Sequence, residues 1–125
     1  MSKPKNLVTQ NTVIRVTLEE GVETPIEFYN YSGDYLVKNF SEDSVYFAFY
    51  PDTPLQNKIK INGGDRQECV TNEKSESSLS GQTNIIYLLG KGEVEVQQLR
   101  WTRPEKLENV EKLEAYSVSL GGTDA

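Results

Sequence analysis

A chain of 125 residues with a net charge of −6, 36% hydrophobic residues, one Cys and no His has room for one domain with one core. The acidic balance, with no cluster of more than two or three Lys or Arg, removes the attraction on which nucleic-acid and anionic-membrane binding depend. A lone Cys69 permits no intrachain disulfide and no thiolate zinc site, and without His there is no Ser–His–Asp, Cys–His or facial-triad chemistry.

At the N-terminus, MSKPKNLVTQ has no apolar h-region, which predicts no signal peptide. No apolar run in the chain approaches the ~20 residues of a membrane helix. The expectation is a protein made in reducing cytoplasm. Residues 1–11 are polar, with Leu7 and Val8 as the only pair to bury, and are predicted to form an extended arm. The stretch KNLVTQN (5–11) has the composition to add a strand to a neighbour's sheet edge, an interaction made through main-chain hydrogen bonds. Leu7 and Val8 are therefore candidate partner-binding residues.

Residues 12–101 read as short strands divided by turn chemistry. TVIRVTL (12–18) alternates, with Ile14, Val16 and Leu18 on one face. EEGVET turns the chain into PIEFYN (25–30), where Pro25 stands at the strand start and its missing N–H does least harm. YSGD then leads to DYLVKNF (34–40), and SEDS to VYFAFY (45–50). In that strand Val45, Phe47 and Phe49 share a core face, which leaves Tyr46, Ala48 and Tyr50 opposite. Pro51 and Pro54 stop it. NKIKI (57–61) places Ile59 and Ile61 in, Lys58 and Lys60 out. NGGD (62–65) is a hairpin-type turn that returns RQECVT (66–71) against it. NEKSESSLSGQ (72–82) is a polar, Ser-rich loop. NIIYLLG (84–90) is the most apolar strand, and EVEVQQLRW (93–101) alternates with Val94 and Val96 in.

About eight short strands at even spacing predict an all-β fold: an antiparallel β-sandwich, jelly-roll or Ig-like, with a small barrel as the alternative. Residues 102–125 change character. Thr102 and Glu105 stand at capping-box spacing and Pro104 falls in the first turn, so TRPEKLENVEKLEAY (102–116) predicts a short helix. Its stripe of Leu107, Val110 and Leu113 either covers an open edge of the sandwich or docks on a neighbouring subunit. SVSLGGTDA trails off.

Most of the rings suit the pleated, half-buried surfaces of strands. Tyr46 and Tyr50 are the exception, since they face away from the Phe47–Phe49 side and would form a platform if that side met water. Such a platform either stacks on sugar or anchors a protein contact. The single Trp101 ends a strand beside the helix signal, so protein contact is the favoured reading. The carboxylate pairs Glu19–Glu20, Glu42–Asp43 and Glu93/Glu95 lie in turns or on an alternating exposed face, where solvated charge is expected rather than acid catalysis. GKGE and NGGD are turns and not phosphate cradles. Nothing calls for a metal or cofactor.

The segments YSGDYLVKNFSEDSVYFAF, KIKINGGDRQECVTNE and IIYLLGKGEVEVQQLRW together resemble small β-proteins encoded among the virion genes of tailed bacteriophages. The resemblance is to capsid-associated or decoration proteins of phages of Gram-positive bacteria, and it covers residues 30–101. It implies a non-enzymatic structural protein, assembled in the host cytoplasm and located on the virion. Its partners would be the major capsid protein, or other virion subunits, and copies of itself. A tail or baseplate module touching host saccharide through Tyr46 and Tyr50 is the alternative.

Overall fold

A computed structural model describes residues 7–70 and 83–104. Nine strands occur among them: β1 (Leu7–Thr9), β2 (Val13–Leu18), β3 (Thr24–Ser32), β4 (Asp34–Asn39), β5 (Val45–Ala48), β6 (Ile59–Ile61), β7 (Arg66–Val70), β8 (Thr83–Leu89) and β9 (Gly92–Leu99). They form a β-sandwich of a five-stranded sheet, ordered β1-β3-β8-β5-β6, and a four-stranded sheet, ordered β2-β9-β4-β7.

Apart from β1, the pairing is nested. β5 pairs with β6, β4 with β7, β3 with β8 and β2 with β9, all antiparallel. This is one long hairpin whose tip lies between β5 and β6, rolled so that successive pairs fall in alternate sheets. Further pairs, β4 with β9 and β5 with β8, close each sheet. The result is the strand order of a jelly roll, and it replaces the Ig-like and barrel alternatives.

The rolling corrects two expectations. The NGGD turn does not return β7 against β6, because β6 pairs with β5 and β7 with β4. Residues 62–65 instead carry the chain from one sheet to the other. Gly64 has the positive φ of a tight turn, at 79°. Gly63 is required for closeness rather than for φ: a Cβ there would stand 2.1 Å from the Glu42 carbonyl oxygen. Asn39 pins the same corner, since its Nδ2 reaches the carbonyls of Asp43 and Ile61 and its Oδ1 accepts from the Ser41 N–H and hydroxyl.

The second correction concerns the arm. Residues 7–9 pair in parallel with β3 of the same chain, Leu7 opposite Ile26 and Thr9 opposite Phe28, so the sandwich is not wholly antiparallel. The NEKSESSLSGQ loop falls outside the described residues, as does the helix expected over 102–116 apart from Thr102, Arg103 and Pro104.

The core follows the alternation of the strands. Leu18, Ile26, Phe28, Val37, Val45, Phe47, Ile61, Ile86, Leu88, Val94 and Val96 are buried between the sheets, with Ile14, Val16, Phe49 and Ile59 packed against them. The Tyr35 ring sits 5.6 Å from Phe28 and 5.8 Å from Phe47, and Phe47 meets Phe49 edge-on at 4.9 Å. Phe40 is not part of this cluster. It is exposed, with the Arg15 guanidinium 5.4 Å over its ring.

Candidate functional site

Cross-strand registers assign every side chain to one side of its sheet, because directly paired residues share a face. On the outer face of the five-stranded sheet, Val8 pairs with Glu27 and Glu27 with Ile85. Pro25 pairs with Tyr87 and Tyr87 with Ala48, while Leu89 pairs with Tyr46 and Tyr46 with Lys60. The centre of this face is apolar and aromatic. Carboxylates stand close to it, for the Tyr87 hydroxyl is held above its ordinary pKa by burial first, then by Glu23, Asp52 and Glu27.

The outer face of the four-stranded sheet is built differently. Arg15, Glu95 and Lys38 pair across three strands, with Arg15 Nη2 2.9 Å and Lys38 Nζ 3.4 Å from the Glu95 carboxylate. Arg15 also reaches Glu93 at 3.8 Å. Beyond β9, Arg100 donates to Asp34 Oδ2 at 2.6 Å and to Glu68. The hydrogen bonds from Arg15 and Lys38 hold the Glu95 carboxyl below the usual carboxylate range. This face is laced with ion pairs, with Val13, Phe40 and Val70 exposed among them.

The residues singled out from the sequence fall as follows. Leu7 and Val8 lie in β1 at the edge of the five-stranded sheet, Leu7 on the side of Ile26 and Val8 on the outer face at 69% exposure. Tyr46 sits half-buried on that face. Tyr50 lies beyond the end of β5, which stops at Ala48, and Ala48 itself is buried. Tyr46 and Tyr50 therefore do not make one continuous platform. Leu107, Val110 and Leu113 lie outside the described residues. Lys58 was expected to point outward, yet its side chain is only 4% exposed and its Nζ lies 3.0 Å from Glu23 Oε1. Strand alternation begins only at Ile59, and the preceding loop folds Lys58 against the start of β3.

Cys69 is fully buried, and its thiol is pushed up to about 12 by burial, with Glu68 adding to the shift. It is a small core side chain. The acid pairs of the sequence stay at the surface: Glu19, Glu20, Glu42 and Asp43 are exposed, and Glu93 and Glu95 share Arg15. Among the described residues no three His, Cys, Asp or Glu converge to hold a metal ion, and no helix is long and apolar enough to cross a membrane.

Sequence reasoning missed a cleft at one end of the sandwich. Its volume is about 570 Å³, and it is lined by Gln10, Asn11, Thr12, Tyr29, Asn30, Trp101 and Arg103. The topology opens it. Both β1 and the chain after β9 pair with β3: β1 at residues 26–28, and Thr102 through two backbone hydrogen bonds to Tyr31. Tyr29 and Asn30 lie between these contacts, where residues 10–12 leave for the other sheet. The positive φ of Arg100, 49°, turns the chain toward β3 and brings Trp101 over the opening.

No family model matches the chain, and no curated protein and no solved structure is significantly similar to it.

Proposed function

We propose that this protein is a non-enzymatic structural component of a phage virion, a decoration protein that binds the major capsid protein lattice with the outer face of its five-stranded sheet. The observation that carries the reading is the contrast between its two outer faces. One carries the Arg15–Glu95–Lys38 and Arg100 ion pairs around exposed Val13, Phe40 and Val70, whereas the other groups Pro25, Tyr46, Ile85, Tyr87 and Leu89 at its centre, beside Glu23, Glu27 and Asp52. An apolar, aromatic centre with a polar surround is the anatomy of a protein interface. The carboxylates favour a partner that brings Lys or Arg to its edge.

The resemblance over residues 30–101 supplies the identity of that partner, and jelly-roll sandwiches recur in viral capsid domains. Fold alone does not determine function, so the argument rests on the face. Val8 and the edge of β1 extend the surface toward a neighbour on the particle, a position that also allows contact between copies of the protein.

Co-sedimentation with capsids assembled from the major capsid protein tests this directly. Tyr46→Glu places a carboxylate beside Lys60, where the fold tolerates it. The expected result is binding weakened about ten-fold or more with the thermal midpoint unchanged. Arg15→Glu, on the opposite face, should sediment with capsids as the unaltered protein does. A Tyr46→Glu protein that decorates capsids normally would remove the proposal.

A further inference from the structure

We propose that the cleft between residues 10–12, Tyr29–Asn30 and Trp101–Arg103 is a saccharide-binding site that takes one or two pyranose units of a neutral oligosaccharide. This goes beyond the capsid-binding reading and uses none of the residues that reading names, so either proposal can fail without the other.

Three observations converge. The first is the pair of rings. Tyr29 is 51% and Trp101 41% exposed, although large aromatic side chains in a small β-protein ordinarily find cover. Both line one cleft. The C–H groups on the face of a pyranose pack against such rings and escape water, while its hydroxyls stay at the rim.

The second is the chemistry of the remaining wall. Gln10, Asn11, Thr12 and Asn30 supply amide and hydroxyl groups that both donate and accept, and Arg103 adds guanidinium donors, as a ring of sugar hydroxyls requires. Among the described residues no carboxylate or aliphatic side chain lines the cleft. A lipid or an apolar peptide would leave these groups unpaired, a mismatch that costs binding. A volume of about 570 Å³ lies in the range of small-molecule sites.

The third is at the floor. Asn30 is only 6% exposed, and its Oδ1 has no hydrogen-bond partner among the described residues. Behind it, Gln98 Nε2 donates to the Asn30 carbonyl at 2.9 Å and to the Tyr35 hydroxyl at 3.1 Å. The backbone beneath the cleft is thus fixed from the core side. A buried acceptor without a donor is uncommon in folded proteins; Asn30 also lines the cleft, and a turn of its amide toward the opening gives Oδ1 a ligand hydroxyl as donor.

Trp101 is the only Trp in the chain, so intrinsic tryptophan fluorescence reports on this cleft alone. The experiment titrates the full chain with a panel of neutral oligosaccharides built from glucose, N-acetylglucosamine, galactose or mannose, and repeats each titration by calorimetry. The expected result is a saturable change in Trp101 emission, matched by calorimetry, with at least one member. Tyr29→Ala should then weaken that binding about ten-fold, the loss of one ring contact, with its thermal midpoint retained. Trp101→Ala, followed by calorimetry, should do the same, while Tyr50→Ala should bind as the unaltered protein does. Absence of saturable binding across the panel by both methods would overturn the proposal. So would an affinity that survives both Tyr29→Ala and Trp101→Ala.

Discussion

Lys58 and Glu23 show how a single side chain departs from the pattern of its strand. The ammonium is nearly sealed from water, with the Glu23 carboxylate 3.0 Å away. With Glu23 itself 29% exposed, this partly buried pair gains little over an apolar pair of similar shape, but breaking it leaves the Lys58 charge without its partner. Glu23→Ala should therefore cost about 2–4 kcal/mol, read as a lower urea midpoint, and Glu23→Leu combined with Lys58→Met should recover most of the loss. An unchanged midpoint in Glu23→Ala would show that the ammonium finds water. Glu95 makes the complementary case on the exposed face. Because Arg15 and Lys38 lower its pKa in the folded chain, its contribution is complete above the ordinary carboxylate pKa. The contribution shrinks as pH falls below about 4.5 and is gone beneath the folded value. Glu95→Gln should flatten the fall in urea midpoint over that acid window while leaving neutral-pH behaviour nearly as before. A slope identical to that of the parent protein would exclude Glu95 as a source of acid sensitivity. Neither pairing was visible in the sequence, for each joins residues distant along the chain.

Among the elements, β1 changes most between sequence and structure. The composition of residues 5–11 suggests a segment that adds a strand to a sheet edge, and residues 7–9 do so, on β3 of their own chain and in parallel. The chemistry of edge addition was legible, whereas the identity of the acceptor was not, because an unpaired edge presents the same donors and acceptors whoever owns it. β1 contributes three residues, with Val8 largely exposed. Deleting residues 1–9 should accordingly lower the thermal midpoint by only a few degrees while abolishing co-sedimentation with capsids. A truncated chain that still decorates capsids would confine the contact to the sheet face. The strands with strong alternation, β2, β5, β8 and β9, fall within a few residues of their expected spans. β5 ends early, at Ala48, and Phe49 beyond it packs edge-on against the Phe47 ring.

For the whole molecule, period-two alternation of apolar residues with regular turns sufficed to determine an all-β chain and the inward faces of most strands. Both depend on residue type and near neighbours. Tertiary structure alone decided the nested pairing that rolls the chain, the segregation of an ion-paired outer face from an apolar one, the Glu23–Lys58 contact and the cleft that unites Gln10, Asn30 and Trp101. Each depends on which distant strands lie side by side. A turn such as NGGD has the same local geometry whether it closes a hairpin or crosses between sheets, so short-range chemistry leaves that choice to the packing of the core.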